Sequence, residues 1–471
     1  MRLLYLLLLC TTAFAATKPN VIVIISDDHG WADASFQKLP ASRDVRTPHL
    51  DRLFASGMRF TQGYVASSTC GPSRSSLMTG RTSSRFGLED NQPGTPLEGP
   101  PASDILIPRI LKPAGYHTGA IGKWHLGEAP DRVPAARGFD EFFGFLGGGH
   151  DYSKGKLMRG TQEVDLKGYI TDALADGAAD FITRNQDKPF FLYVAFNAPH
   201  SPMQAPQRLI ERMVAHQPAF RPAYERMKQK TGAGALPNFE VRPFKGKNVD
   251  MEIMRLVYCA MVAGLDDGVG RILDTLEKTK LRENTLIFFL ADNGAALARP
   301  NDLGGVNRPL RSGKGSVFDG GVRVLFGASW PGVLPQGRDY DGVLSSVDIF
   351  TTTAALAGAS IPADRVIDGV DLMPFLTGKK TGDPHDEFFF RRFDRKSWAL
   401  RAGEFKWVVA PKEGIGADGA LFRIGGDIGE ERDVSAEFPE KKKQLIATYE
   451  RLTAGLPRPV NHSTKPDPDD P

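Results

Sequence analysis

The chain has 471 residues, of which 41% are hydrophobic and 24% are charged, and its formal net charge is +3. This is the composition of a globular protein long enough for a large core and a second, smaller domain. A net charge this close to zero provides no basic field for nucleic acid and no acidic tail, so we expect no nucleic-acid partner.

The N-terminus has the pattern of a secretory signal peptide. Arg2 is followed by an apolar run over residues 3–9, and residues 13–15, Ala-Phe-Ala, form a cleavage motif of the A-x-A type. The run is too short to span a bilayer. Leu9 is bulkier than the residue that normally precedes a lipid-anchored cysteine, which argues against an anchor at Cys10. We therefore predict cleavage after residue 15 and an exported protein, periplasmic or secreted, without a membrane span.

Two adjacent carboxylates follow the first predicted strand. Residues 20–25, Asn-Val-Ile-Val-Ile-Ile, are typical of a strand that is buried on both faces. Asp27 and Asp28 come directly after it, and their charges repel each other unless a cation lies between them. A surface turn is the alternative interpretation. Residues 47–54 then form a predicted helix.

Residues 67–81 combine a lone cysteine, a glycine and a proline with the start of a predicted helix. Pro72 suits a first helical position, so Cys70 is predicted to lie just outside the helix N-terminus, where unpaired amide groups favour negative charge. Arg74 and Arg81 add positive charge. The segment is therefore interpreted as an anion site with a reactive group at its floor. A buried structural cysteine is the alternative interpretation.

Cysteine usage gives no disulfide framework. Once the signal peptide is removed, only Cys70 and Cys259 remain, and a single bridge between them is possible. Cys259 falls in the predicted helix 251–278, where we interpret it as core packing. A free thiol in an oxidising compartment needs protection, pairing or chemical conversion.

Two further predicted strands also lead into polar residues. Residues 115–122 form a predicted turn and short strand that leads to Lys123 and His125, which would share a face of a continued strand. Residues 189–196 form a third buried-strand pattern, which His200 follows. The next segment, 204–250, is polar and Pro-rich without a clear period, so we predict a long excursion over the surface.

The strand predicted over residues 284–290 ends in a second oxygen-rich pair, Asp292 and Asn293. In open α/β sheets, ligands bind beyond the carboxyl ends of the strands. Together with the pair at residues 27–28, these side chains offer three carboxylates and one amide carbonyl, a donor set that suits Ca²⁺ or Mg²⁺ better than zinc. Residues 311–316 resemble an anion loop but lack the spacing of a nucleotide P-loop, so we exclude ATP.

The predicted fold class is α/β, with a large mixed, mostly parallel sheet flanked by helices on both faces. A helix is predicted over residues 346–358, and the composition shifts after it. Short antiparallel strands and a final helix over residues 441–456 predict a smaller C-terminal α+β domain. The predicted organisation is a signal peptide (1–15), a large N-terminal domain (16–359), the C-terminal subdomain (360–456) and a disordered tail (457–471).

The motifs together resemble the type I sulfatases, within the alkaline-phosphatase-like superfamily. The resemblance is most specific in Cys-Gly-Pro-Ser-Arg at residues 70–74 with Leu-Met-Thr-Gly-Arg at residues 77–81. Further matches follow in the expected order at residues 27–28, 122–125, 199–200, 291–294 and 313–315. The resemblance covers essentially the whole mature chain and implies an alkaline-phosphatase-like fold and a sulfuric ester hydrolase.

The resemblance also implies a modified nucleophile. In this family a formylglycine-generating maturation enzyme converts the cysteine, here Cys70, to Cα-formylglycine, which is hydrated to a gem-diol. One hydroxyl attacks sulfur and leaves a covalent sulfo-enzyme intermediate, and deprotonation of the second hydroxyl ejects sulfate. A serine or cysteine nucleophile has no second hydroxyl for this release.

The same resemblance implies roles for individual residues. One Ca²⁺ would be held by Asp27, Asp28, Asp292, Asn293 and an oxygen of the modified Cys70 or of the sulfate. The catalytic residues would be Cys70, Arg74, Lys123, His125, His200 and Lys314. Of these, Arg74 would hold the charged diol, and the two lysines would bind sulfate oxygens. His125 would be the base for sulfate release and His200 would protonate or position the leaving oxygen, although the two histidines could exchange or share these roles.

An exported sulfatase suits a sulfated polysaccharide or oligosaccharide as substrate. Candidate sugar contacts are His150, Asp151, Arg299 and Arg308, each of which is also compatible with an ordinary surface role. Two alternative functions stay open. One is a phosphodiesterase or phosphonate monoester hydrolase of the same superfamily, and the other is a secreted carbohydrate-binding protein without catalysis. The sequence leaves the sugar, the sulfate position and the oligomeric state open.

Overall fold

A ten-stranded sheet forms the framework of the protein in this computed structural model, which describes residues 18–91, 98–231, 238–241, 250–297 and 303–459. The predicted signal peptide with Cys10, the candidate Arg299 and residues 460–471 lie outside the described residues.

The strands are β1 (Asn20–Ser26), β2 (Met58–Phe60), β3 (Gly63–Tyr64), β4 (His117–Lys123), β5 (Glu141–Phe145), β6 (Lys156–Arg159), β7 (Gln162–Asp165), β8 (Phe190–Ala195), β9 (Met203–Pro206), β10 (Asn238–Val241), β11 (Thr285–Ala291), β12 (Phe326–Ser329), β13 (Arg338–Tyr340), β14 (Leu344–Ser345), β15 (Glu387–Arg392), β16 (Ser397–Ala402), β17 (Phe405–Ala410) and β18 (Ile415–Arg423). The α-helices are α1 (Pro48–Ala55), α2 (Cys70–Thr79), α3 (Ile107–Leu111), α4 (Ile170–Arg184), α5 (Gln207–His216), α6 (Arg221–Thr231), α7 (Met251–Lys278), α8 (Asp319–Val322), α9 (Asp348–Ala357), α10 (Met373–Leu376) and α11 (Pro439–Thr453).

The large sheet has the order β13-β2-β12-β11-β1-β8-β4-β5-β6-β7. Its five central strands, β11, β1, β8, β4 and β5, are parallel. Antiparallel pairs extend it on both sides, from β11 to β12 and from β5 through β6 to β7. The predicted class, an α/β fold with a large mixed and mostly parallel sheet, is therefore confirmed.

Both faces of the central strands are buried, which explains their continuous apolar runs. Along β1, Ile22 and Ile24 pack on one face with α1, α4, α5 and α7. Val21, Val23 and Ile25 point to the other face, where α2, α3 and α9 cover them. Because helices cover both faces, polar residues at the strand ends are held in fixed positions rather than at a mobile surface.

The prediction of a surface excursion over residues 204–250 is wrong for its described part. Residues 203–231 form β9, α5 and α6, and α5 and α6 pack against α7. The apolar pairs at residues 209–210 and 213–214 recur four residues apart, which is the spacing of one helix face. Their side chains are buried. The polar residues between these pairs obscured the helical period in the sequence.

The C-terminal part contains a four-stranded antiparallel sheet in the order β15-β16-β17-β18. One of its faces packs on α11 through Trp407, Leu445 and Tyr449. The other packs through Phe390 and Val408 on residues of the larger part of the chain. The predicted antiparallel C-terminal sheet is thus confirmed. No helix among the described residues combines the length and the apolarity needed to cross a bilayer.

A buried trio of charges joins this C-terminal sheet to the larger part of the chain. The Nζ of Lys406 lies 2.7 Å from Asp319 Oδ1 and 2.8 Å from Glu430 Oε1, and none of the three side chains is exposed. Burial disfavours the charge on Asp319, but Lys406 and the neighbouring arginines hold the pKa of this carboxyl at about 2. The two parts are therefore held together by charge as well as by apolar contact.

We expect Lys406→Met to lower the free energy of unfolding by about 3–5 kcal/mol, because it removes the closest cation from two buried carboxylates, Asp319 and Glu430. Guanidinium denaturation followed by tryptophan fluorescence measures this change. Lys443→Met, at an exposed lysine of α11 paired with Glu440, is the control, and we expect it to change stability by less than about 0.5 kcal/mol. Equal effects of the two substitutions would contradict the role of the buried trio.

Candidate active site

The register of the central strands brings together the two oxygen-rich pairs, at residues 27–28 and 292–293. Ser26 of β1 pairs with Ala291 of β11, so the residues that follow these strands leave the sheet at the same level. The backbone N–H of Asp28 donates to Asp292 Oδ1 over 3.2 Å. The Nδ2 of Asn293 donates to Asp28 Oδ1 over 2.7 Å. Asp28 thus belongs to one buried group with Asp292 and Asn293, although they lie 264 and 265 positions away in the sequence.

Three cationic side chains contact these carboxylates, and the six groups are called the charged cluster below: Asp27, Asp28, Asp292, Arg74, Lys123 and Lys314. The Nζ of Lys123 lies 2.6 Å from Asp27. The Nζ of Lys314 lies 2.6 Å from Asp28. The guanidinium of Arg74 donates twice to Asp292, over 3.0 and 2.8 Å. Each carboxylate therefore has a cationic partner.

The surroundings shift the pKa values of this cluster in opposite directions. Burial opposes ionisation of Asp28, but Lys314 and the nearby His200 outweigh it and hold the pKa of this carboxyl well below its usual range. Burial and the adjacent Asp27 raise the pKa of Asp292. Burial alone would lower the pKa of Lys314, whereas Asp28 raises it well above the ordinary value. The ammonium group is therefore charged at neutral pH.

Cys70 is the first residue of α2 and lies at the floor of the charged cluster. The prediction that it precedes the helix is wrong, because Thr69 is the N-terminal capping residue and Pro72 is the third residue of the helix. Proline is tolerated there because first-turn N–H groups have no partner within the helix. Arg81 lies beyond the other end of α2 and pairs with Asp104, so its predicted place beside Cys70 is also wrong.

The thiol of Cys70 is almost completely buried, and its sulfur lies 3.6 Å from Asp27 Oδ1 and 4.0 Å from Asp28 Oδ1. Burial and the nearby carboxylates raise the pKa of Cys70 to about 12, although Lys123 and Lys314 oppose the shift. An unmodified Cys70 is thus a thiol at neutral pH. It is not bonded to Cys259, so the possible bridge is absent.

His125 reaches the site by a route that the sequence did not indicate. The strand β4 ends at Lys123, and His125 has a left-handed backbone with φ of 55°, so the two residues do not share a strand face as predicted. The Nδ1 atom of His125 is buried without a partner. A Cβ on Gly148 would lie only 2.7 Å from its Nε2, so glycine leaves the room that the ring needs.

His200 lies next to Asp28. Its Nε2 lies 3.7 Å from Asp28 Oδ2, and its Nδ1 lies 2.6 Å from the carbonyl oxygen of Ser201. Burial and Lys123 lower the pKa of His200 to about 4, and burial with Lys123 and Arg74 lowers the pKa of His125 well below its ordinary value. Both rings are therefore neutral at pH 7 in the unliganded site. In neutral His200, Nδ1 carries the hydrogen and donates a hydrogen bond to the carbonyl oxygen of Ser201, so Nε2 is the unprotonated acceptor.

The donor atoms of this site fit a hard divalent cation. Ligand atoms of Asp27, Asp28, Cys70 and His200 all lie within 4.8 Å of one another. The Oδ1 of Asn293 is buried without a hydrogen-bond partner, while its Nδ2 is used by Asp28. Carboxylate and amide oxygens are the ligands that Ca²⁺ and Mg²⁺ prefer. The unsatisfied amide oxygen is the observation that favours a cation here.

The candidate sugar contacts are less clearly connected to the site. The ring nitrogens of His150 lie 2.6 Å from the carbonyl oxygen of Asp151 and 3.0 Å from that of Lys156. The Asp151 carboxylate accepts from Ser153 N–H and from Gln204 Nε2. These two side chains therefore bond to their own loop, to the start of β6 and to Gln204 of β9. Of the other two candidates, Arg308 is exposed, and Arg299 falls outside the described residues.

Two residues at the site were missed by the sequence analysis. The Tyr193 hydroxyl accepts from Arg74 over 3.4 Å, and the Asn91 side chain accepts from the backbone N–H of Gly71, next to Cys70, over 2.9 Å. Tyr193 could have been noticed because its hydroxyl is the polar group of the otherwise apolar strand β8. No local pattern marks Asn91. The loop that carries Lys314 is further held by Glu413, which accepts from the hydroxyls of Ser312 and Ser316.

Comparisons with known proteins agree with this geometry. A family model described as Sulfatase matches residues 19–359. The chain is 35% identical over 422 residues to N-acetylgalactosamine-6-sulfatase of Canis lupus familiaris, covering 84% of this chain and 72% of that protein.

Solved structures are similar over almost the whole chain. The crystal structure of Ps i-CgsB superimposes with a TM-score of 0.81 at 33% identity, covering 94% of both chains. The same protein in complex with k-i-k-neocarrahexaose superimposes with a TM-score of 0.80. The phosphonate monoester hydrolase of Agrobacterium radiobacter, at a TM-score of 0.64 and 21% identity over 93% of this chain and 96% of that one, shares the fold alone.

Proposed function

The chain belongs to the sulfatase family of sulfuric ester hydrolases, and from this premise we propose that it removes sulfate from a sulfated polysaccharide or oligosaccharide by means of a formylglycine formed from Cys70. The observation that carries the proposal is the position of Cys70, buried at the floor of a cluster of three cations and three carboxylates. Such a cluster suits a tetrahedral oxyanion ester whose negative charge grows during the reaction.

The sugar substrate is supported by the relatives. One is named for N-acetylgalactosamine-6-sulfate hydrolysis, and the neighbour Ps i-CgsB has been crystallised with an oligosaccharide. We further propose that residues 1–15 are a cleaved export signal and that a maturation enzyme of the formylglycine-generating type acts on Cys70. The division into residues 16–359 and 360–456 is likewise a proposal.

Two groups would complete the site. Formylglycine, once hydrated, supplies a hydroxyl nucleophile and a second hydroxyl that allows sulfate to be released. A Ca²⁺ ion held by Asp27, Asp28, Asp292 and Asn293 supplies positive charge next to the sulfate oxygens. The free Oδ1 of Asn293 and the carboxylates that converge on Cys70 support this assignment.

The residues of the chain have separate tasks in this scheme. Lys123 and Lys314 neutralise the sulfate oxygens, and Arg74 stabilises negative charge that develops at position 70. The carboxylate of Asp27, 3.6 Å from the Cys70 sulfur, lies where it can accept a proton from a group at that position. Burial excludes water from the reacting atoms and strengthens each of these interactions.

The two neutral histidines would move protons. His125, which has a buried and unpaired Nδ1, is assigned as the base for sulfate release. His200, whose Nε2 lies 3.7 Å from Asp28 Oδ2, is assigned to position the leaving oxygen of the sugar or, once its Nε2 has taken up a proton, to protonate that oxygen. The alternative of exchanged roles leaves the overall reaction unchanged.

We expect Cys70→Ala to lower the turnover of 4-nitrophenyl sulfate by about a thousandfold or more, because it removes the nucleophile. The protein is produced with a maturation enzyme, and mass spectrometry of the peptide containing residue 70 should show formylglycine in the parent chain. Cys259→Ala, at the buried cysteine of α7, is the control and should retain turnover. An unmodified, inactive Cys70 in protein from the native host would favour the carbohydrate-binding alternative.

The choice between sulfate and phosphate esters has a direct test. We expect kcat/KM for 4-nitrophenyl sulfate to exceed that for 4-nitrophenyl phosphate, because the family match is to sulfatases and the phosphonate hydrolase shares the fold alone. Both substrates are assayed with the same mature preparation. Dominant phosphate hydrolysis would overturn the proposal in favour of the phosphodiesterase alternative.

Calcium binding can be measured without turnover. We expect Asn293→Leu to weaken the binding of Ca²⁺ by about ten- to a hundredfold, because it removes a ligand oxygen from the site. Isothermal titration calorimetry on chelator-treated protein gives the affinity. Asn185→Leu, at a buried asparagine that follows the last residue of α4 and donates to the Phe181 carbonyl oxygen, is the control. An unchanged affinity in Asn293→Leu would exclude this residue as a ligand.

A further inference from the structure

The side chain of Asn307 makes four hydrogen bonds, although it belongs to none of the motifs described above. It is 2% exposed. Its Nδ2 donates to the carbonyl oxygens of Ala295 and Ser312 over 3.2 and 3.0 Å. Its Oδ1 accepts from the backbone N–H groups of Ala295 and Trp31 over 3.0 and 3.3 Å. An amide has two donor hydrogens and two acceptor lone pairs, so its capacity is fully used.

These bonds join three segments of the active site. Trp31 follows Asp27 and Asp28 in the acidic loop after β1, and Ala295 follows Asp292 in the acidic loop after β11. Ser312 comes two residues before Lys314. The carbonyl oxygen of Ala295 also accepts from the backbone N–H of Lys314 over 3.0 Å. One buried amide thus connects both acidic loops to the loop that carries the lysine.

The loop that carries Lys314, residues 311–316, is called the lysine loop below. It needs such support because its backbone conformation is uncommon. Ser312 has a φ of 63°, in the left-handed region that a residue with a side chain occupies at some cost in free energy. At Gly313, a Cβ would lie 2.8 Å from the Asn307 Nδ2 and 2.4 Å from the Ala295 carbonyl oxygen. The loop therefore approaches Asn307 more closely than any residue other than glycine permits.

We propose that Asn307 is a positioning residue, whose amide holds the Lys314 ammonium in its sulfate-binding position by tying the lysine loop to the two acidic loops. This inference rests on the proposed function of Lys314 in binding sulfate. Glu413 and the bond from Gly315 N–H to the Ser68 carbonyl hold other points of the same loop. Asn307 differs from them because it reaches both acidic loops at once.

The test is Asn307→Asp, which keeps the shape but replaces two N–H donors by an oxygen that faces two carbonyl oxygens. In the mature, calcium-loaded protein we expect kcat/KM for 4-nitrophenyl sulfate to fall about ten- to a hundredfold, the effect of a misplaced catalytic group. Inorganic sulfate is the binding probe, and its dissociation constant, from calorimetry and from competitive inhibition, should rise about tenfold.

A double-mutant cycle with Lys314→Met separates positioning from general destabilisation. In the Lys314→Met background, Asn307→Asp should change the sulfate dissociation constant by less than about twofold, because no ammonium is left to be misplaced. Asn20→Asp is the matched control. This asparagine is also buried and bonded, to Phe190 N–H and Thr285 Oγ1, but it lies at the opposite end of β1. It should lower stability without changing sulfate affinity.

The outcomes distinguish the inference from the proposed function. If Lys314→Met binds sulfate as tightly as the parent chain, the proposed role of Lys314 is wrong. If Lys314→Met loses affinity but Asn307→Asp does not, or if the effect of Asn307→Asp is the same in both backgrounds, only the inference about Asn307 is wrong. Should Asn307→Asp fail to fold, Asn307→Ser, which keeps one hydroxyl for hydrogen bonding, takes its place in the same cycle with the same expected outcomes.

Discussion

Three carboxylates and three cationic side chains share one largely buried space at the carboxyl ends of β1 and β11. Ions in such a space are stable only when each has a partner, since removal of one leaves its neighbour as an uncompensated buried charge. The six side chains are therefore stable only together. The helix, strands and loops that carry them must be held in fixed positions relative to one another. The parallel register of β1 and β11 makes this arrangement possible.

The same charge balance explains how a chain with a net charge of only +3 can hold a buried cluster that is suited to an anion. The cations of the cluster are already paired before a sulfate ester arrives, so the site does not pay the full cost of three unpaired charges in the empty state. A divalent cation at the acidic face would compete with Lys123 and Lys314 for their carboxylates and so free ammonium groups for the ester oxygens. Binding of the proposed metal and of substrate would in this way be coupled through shared partners.

Much of this arrangement could be predicted from the sequence. Continuous apolar runs identified β1, β8 and β11, and the polar pairs at their ends located the acidic face, because parallel strands present their carboxyl ends at one edge. Other features left no local pattern. The helix α5 carries its apolar pairs among charged residues, and His125 turns through a left-handed backbone. Asn307 accepts hydrogen bonds from the backbone of Trp31 and Ala295, which lie 276 and 12 residues away in the sequence. No rule of sequence spacing predicts such contacts.

The buried contact between Lys406, Asp319 and Glu430 also bears on how this chain can be divided or recombined. Asp319 begins α8 only five residues after Lys314, and Glu413 of the C-terminal part holds two hydroxyls of the lysine loop. A chain truncated after residue 359 would thus leave Asp319 without Lys406, with Arg323 as a remaining cationic neighbour, and would remove Glu413 from the loop that carries Lys314. A chimaera with the C-terminal sheet of another protein would need to exchange Asp319 and the lysine loop together with that sheet.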